Sequence, residues 1–296
     1  MDMIVQAHEA ARQRQRQQQR TLHFLLAPAT IWLLVFFMLP LLIMLVISFM
    51  KRGTYGGVVP EFNLANYAQL LNADYFIIFQ RTMVLAVATT VLCLVIAYPM
   101  AYWIARQPPR LRSVLVMLVI IPFWTNFLVR TYAWMVLLRN EGVINTLLLS
   151  LGLIDEPLTM LFTPFAVIVG LVYGELPFMV LPLYANLEKF DYSLMEAAHD
   201  AGANNFWAFV RVMLPLTLPG IVAGCILVFI PSIGAFVTPD ILGGSKSVMI
   251  GNLIDRQFKA ARDWPFASTI SITLMVIVSL AVALYFRLVG ESDRTI

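Results

Sequence analysis

Six runs of mainly apolar residues dominate the sequence, each near the length of about 20 residues that a helix needs to cross a bilayer core of about 30 Å. They run roughly over 24–49, 82–105, 113–138, 164–185, 216–238 and 264–286. Runs this long without strict alternation exclude the ten-residue pattern of a membrane barrel, so the chain is expected to be an all-α membrane protein with six transmembrane helices. Composition agrees: 60% of residues are hydrophobic and 12% charged, against about 25% charged in a typical water-soluble domain. Too little polar surface exists to cover a soluble globule. The first run exceeds a signal-peptide core and is followed by Lys51 and Arg52 with no small-residue cleavage site, so it reads as a span. Cys93 and Cys225 lie inside apolar runs, without metal or disulfide spacing. A net charge of +3, with no basic block interleaved with aromatic residues, gives no reason to expect a nucleic-acid partner.

Orientation follows from lysines and arginines near the ends of the spans. Arg12, Arg14, Arg16 and Arg20 precede the first run, and Arg106, Arg110 and Arg112 fill the turn after the second. Both groups belong in the cytoplasm. Residues 1–23 then form a cytoplasmic basic, Gln-rich leader, 24–290 the transmembrane domain and 291–296 a cytoplasmic tail. Both termini are inside, the 187–215 loop is cytoplasmic, and 241–263 is outside. Pro40, Pro99, Pro122, Pro177, Pro182 and Pro231 fall within the spans. Each removes a backbone donor, and bent or broken helices of this kind are tolerated where neighbours or a water-lined cavity satisfy the freed carbonyls.

The 187–215 loop reads as two short helices joined at Gly202. Ser193 is expected to cap the first, and Leu194, Ala197, Ala198 and Ala201 recur on one face. A small apolar face on a cytoplasmic loop fits docking into a groove on a partner protein. Glu196, Ala197, Ala198, Gly202, Leu214 and Pro215 stand at the spacing Glu-Ala-Ala, three residues, Gly, nine residues, Ile, one residue, Leu-Pro, with Val212 in place of the Ile. This resembles the EAA loop of inner-membrane permeases from binding-protein-dependent (type I) ABC importers, which share a MetI-like core. Pro122-Phe-Trp-Thr-Asn, Arg130-Thr-Tyr-Ala-Trp134, Leu176-Pro-Phe-Met-Val-Leu-Pro182, Phe236-Val-Thr-Pro-Asp-Ile-Leu-Gly-Gly244 and Arg262-Asp-Trp-Pro-Phe266 are most similar to the spermidine/putrescine permeases.

The resemblance implies a permease subunit of the bacterial inner membrane, moving a polyamine by alternating access. Its implied partners are ABC ATPase subunits that use ATP and Mg, a second and different permease subunit, a soluble solute-binding protein and membrane lipid. The six loop residues named above would couple it to the ATPase. The residues themselves offer no cofactor site in this chain. No P-loop of the Gly-four-residues-Gly-Lys-Ser/Thr form occurs, and His8, His23 and His199 form no metal cluster, so the chain is not expected to be an enzyme.

Glu175 is the one carboxylate deep in an apolar run, where a charge is costly unless it faces the bundle interior. It either meets a cation in transit or pairs structurally with Arg130. Trp124, Tyr132, Trp134 and Tyr173 either offer cation–π contacts or belong to an interfacial belt. Asp240 is either a receiving group at the outer mouth or part of a turn. Two other functions stay open: an ABC permease for another organic or metal-complexed solute, and an ion-coupled secondary transporter, which leaves the Glu196–Pro215 spacing unexplained.

Overall fold

The computed structural model describes residues 25–292, so the leader and the last tail residues lie outside the described part. Helix α1 runs Leu25–Ser48 and leads into an antiparallel hairpin, β1 (Met50–Arg52) and β2 (Val58–Phe62), followed by the short α2 (Ala65–Gln69). Then come α3 (Ala73–Ala105), α4 (Pro109–Ile120), α5 (Phe127–Leu138), α6 (Val143–Ser150) and α7 (Pro164–Leu187). The chain continues through α8 (Ser193–Asp200), α9 (Asn205–Gly234), α10 (Ile250–Lys259) and α11 (Trp264–Ser292). Among the described residues five helices are long and apolar enough to cross a membrane, and six segments are if a bent pair is counted as one span.

That bent pair corrects the expected third span. Instead of one helix over 113–138, residues Pro109–Trp124 and Phe127–Ser150 meet at 89°. Pro122 has no N–H to extend the ladder, and the stretch Ile121–Trp124 tightens to a 3₁₀ turn. Thr125 is extended, with its hydroxyl donating to the Pro122 carbonyl at 2.6 Å. The side chain of Asn126 then caps a fresh helix by accepting from the Leu128 N–H at 2.8 Å. A stop signal and a start signal stand side by side.

Other boundaries also move outward: α3 begins at Ala73 and α9 at Asn205, each well before its apolar run. Of the prolines in the spans, Pro99, Pro177, Pro182 and Pro231 stand inside continuous α-helices and do not break them. Pro40 and Pro215 each follow a π-helical turn, at Leu34–Met38 and Phe209–Met213, where the missing donor shifts the hydrogen-bond register.

The core is a three-helix arrangement of α3, α7 and α9. Ala97 and Ala101 of α3 are wholly buried among Met179, Val180 and Leu183 of α7 and Val228 of α9. Small residues let the backbones approach, which is how packing proceeds where lipid is as apolar as leucine. A Cβ at Gly220 would lie 2.7 Å from Asn186 Cβ, and one at Gly224 would lie 2.6 Å from Met179 Sδ. Outside this core, α1 packs along α11. The hairpin is stapled to the α10–α11 turn: Arg52 donates to the Ala261 carbonyl at 2.7 Å, and Gly57 N–H to that of Arg262 at 2.9 Å. Below it, Thr269 donates to the Ser48 carbonyl at 3.0 Å.

Candidate functional site

The loop between α7 and α9 is built by consecutive capping devices. The Asp191 carboxylate, rather than Ser193, accepts at the start of α8, from the Ser193 N–H at 3.0 Å. Ser193 is itself the first helical residue, which corrects its expected capping role. The same hydrogen bonds from Ser193 hold the Asp191 carboxyl below its ordinary pKa. At the other end, Ala203 N–H bonds back to the Ala198 carbonyl at 3.0 Å and Gly202 N–H to that of His199 at 2.9 Å. This is a Schellman closure, and Gly202 takes the left-handed φ of 87° that it requires. Asn204 immediately caps α9 by accepting from Trp207 N–H at 2.9 Å.

The outcome is a short helix held at a sharp corner with its apolar groups uncovered. Leu194, Ala197, Phe206 and Trp207 are exposed, and Arg211 stacks on Trp207 at 4.4 Å. Glu196 is exposed, Ala198 and Leu214 are half-buried, and Pro215 is exposed after its π turn. Glu196 and His199 also border a cavity of about 690 Å³ with Tyr98, Tyr102, Arg106 and Tyr192. The Arg106 guanidinium lies over the rings of Tyr102 and Tyr192 at 5.4 and 5.8 Å. The sequence reading missed this cluster, although Tyr98 and Tyr102 stand four apart on one helix face and Arg106 four further on.

A second unpredicted contact ties the loop to the neighbouring segment. Arg112, at the start of α4, donates to Glu188, at the end of α7, at 2.7 Å. Its other guanidinium nitrogens hold the Gln107 carbonyl at 3.2 and 3.3 Å. The bond from Arg112 keeps the Glu188 carboxyl below its ordinary pKa.

Midway along α7, Glu175 lines a cavity of about 190 Å³ together with Phe127, Gly170, Gly174, Pro231 and Gly234. Gly174 and Gly234 have open space where a Cβ would stand. One Glu175 carboxylate oxygen, Oε2, is buried without a hydrogen-bond partner among the described residues. Arg130 lies on α5 in an adjoining crevice that shares Phe127, Gly170 and Gly174 and also contains Tyr173. Its Nε and one Nη are buried and unpartnered. Arg130 and Glu175 form no ion pair with each other, and the ion pairs among the described residues lie elsewhere. The Arg130 guanidinium instead rests on the rings of Phe123 and Phe127, at 5.0 and 5.8 Å, one on each side of the break.

Of the five candidate pathway residues, the fold therefore gathers Glu175, Arg130 and Tyr173. Tyr173 packs edge-on against Trp134 at 5.6 Å. Trp124 is 82% exposed and lines neither cavity. Asp240 sits in a π-helical turn, Pro239–Gly243, paired with Arg256 at 3.0 Å, and does not line the Glu175 cavity.

Residues 94–290 match the family described as binding-protein-dependent transport system inner membrane component. Among curated proteins, the chain is 46% identical over 256 residues to the spermidine/putrescine transport system permease protein PotB of Salmonella typhimurium (strain SL1344), covering 86% of this chain and 89% of that one. It is 45% identical to PotB of Escherichia coli (strain K12), with 86% and 93% covered. A chain from the crystal structure of a bacterial alginate ABC transporter, in complex with alginate pentasaccharide-bound periplasmic protein, superposes with a TM-score of 0.70 at 17% identity. That superposition covers 92% of this chain and 94% of the other, and speaks to the fold.

Proposed function

Because the chain belongs to the family of binding-protein-dependent transport system inner membrane components, we propose that it is the permease subunit of an ATP-driven importer for polyamines of the spermidine/putrescine class. The solute is handed over by a soluble binding protein. ATP with Mg is hydrolysed by separate ATPase subunits docked on the α8 corner, and a second, different permease completes the passage. Both termini face the cytoplasm, as the arginines of the 106–112 turn support. In this reading the exposed apolar residues of α8 and early α9 enter the ATPase groove. Gly202 sets the angle at which they do so, with Glu196, Ala197, Ala198, Leu214 and Pro215 framing the docked element.

The observation that carries the solute class is the half-buried Glu175, whose Oε2 has no hydrogen-bond partner among the described residues, at a cavity bordered by three glycines. An acid within a membrane span is costly where an oxygen has no partner, and a passing ammonium group supplies the missing hydrogen bond. Gly174 and Gly234 leave open space beside the carboxylate, and a cavity of about 190 Å³ has room for one ammonium end of a slender flexible cation.

The test replaces Glu175 by Gln, which keeps the shape and removes the charge. Polyamine uptake per assembled complex is expected to fall at least about tenfold, the worth of one charge-assisted hydrogen bond. Membrane insertion and co-purification with the ATPase should stay at wild-type levels. Undiminished uptake in vesicles supplied with ATP and loaded binding protein overturns the assignment.

A further inference from the structure

A pathway for cations beside a half-buried arginine poses a problem, since a fixed positive charge repels the solute it serves. Three observations bear on it. Arg130 and Glu175 line adjoining cavities that share Phe127, Gly170 and Gly174, yet each keeps buried polar atoms without a partner. Among the described residues the guanidinium is held by no acid but by two aromatic faces, Phe123 before the break in the third segment and Phe127 after it. Phe123 is in turn fixed edge-on to Phe178 of α7 at 4.9 Å, so the position of the cation depends on the angle between α4 and α5.

We propose that Arg130 is a specificity-determining residue: a tethered counter-cation that neutralises the field of Glu175 when no polyamine is present, and so keeps inorganic cations from using that carboxylate as a way station. The inference rests on the reading of Glu175 given above. A small ion entering the cavity meets an acid whose field is already balanced from behind the glycines, and gains little by shedding its water. A polyamine delivered by the binding protein arrives with further contacts along its length, and its ammonium reaches Glu175 directly. Held by ring faces rather than by a salt bridge, the arginine balances the acid without bonding to its oxygens, and Oε2 keeps no partner of its own.

The experiment uses the complete transporter in proteoliposomes, supplied with ATP and unliganded binding protein so that the pathway cycles, with rubidium ion as the probe. Wild type is expected to be tight. Arg130→Gln is expected to raise rubidium entry at least tenfold per assembled complex, Arg130→Lys to raise it by less, and Arg130→Gln with Glu175→Gln to return it to the wild-type level. If Arg130→Gln does not assemble, Phe123→Ala removes one of the two faces holding the guanidinium and is expected to leak in the same Glu175-dependent way. Tight liposomes with Arg130→Gln and Phe123→Ala overturn the proposal. So does a double variant as leaky as Arg130→Gln, because that leak comes from damaged packing. Polyamine uptake by Glu175→Gln alone is read separately: if it is normal while the Glu175-dependent leak appears, the pathway assignment fails and the counter-cation role stands.

Discussion

Gly202 shows how much one backbone angle can carry. Its φ of 87° closes α8, yet a Cβ there would meet nothing within 4 Å, so the cost of a side chain is conformational and not steric. Asparagine visits that region readily and β-branched residues do not. Gly202→Asn is therefore expected to retain most solute uptake. Gly202→Val, which costs about 1–2 kcal/mol in the left-handed region, is expected to release the corner and lower both ATPase capture and uptake. Equal uptake by the two variants would show that the corner does not set the docking angle. The pattern Glu196, Gly202, Pro215 was legible in the sequence because spacing along a chain survives without coordinates. The Asp191 cap was not, since Asp191 and Ser193 both suit a helix start and only the local path decides between them. For the same reason Glu175 stood out as a deep acid, whereas the choice between a pair with Arg130 and none depends on where a broken helix points.

At the level of elements, apolar runs locate helices in lipid but say little about where a helix breaks inside one. The third run has no polar interruption at Thr125–Asn126 strong enough to stand out, and the break shows only as proline, hydroxyl and amide in close order. The hairpin was missed because it is short and its strands are half polar. Two tests belong at this scale. Gly220→Val should separate α7 from α9, since its Cβ would already stand 2.7 Å from Asn186 Cβ, and the heat stability of the detergent-solubilised protein should drop by an overpacking penalty of about 1–3 kcal/mol. The Arg112–Glu188 bond joins α4 to the start of the docking loop, so Arg112→Glu should leave ATP hydrolysis running with uptake reduced, and Glu188→Arg in the same chain should restore coupling. Because the Glu188 carboxyl sits below its ordinary value of about 4.3, this bond's contribution is complete above that value and fades only as pH falls further. Coupling should therefore be insensitive to a drop from neutral to about pH 5.

For the whole molecule, the opposite ends of the bundle carry different chemistry: the α8 corner with Arg106 and Arg112 at one, the stapled hairpin at the other. His199→Cys in a cysteine-free background should react with a membrane-impermeant thiol reagent only from the cytoplasm, and Tyr55→Cys, at the 97% exposed hairpin tip, only from outside. Reaction of both from one side would overturn the six-segment topology. The staple has a further consequence, in time. Ser48 is held by Thr269, a partner 221 positions later, and the hairpin by the turn just before it. At a synthesis rate of about 5–20 residues per second, the first helix waits roughly 10–45 s in the membrane before its partner emerges from the ribosome. During that interval α1 is an unsheathed apolar rod with no other long helix of its own chain along its length. A chain stopped before α11 never leaves that state, and should be cleared by membrane proteases far faster than the finished protein.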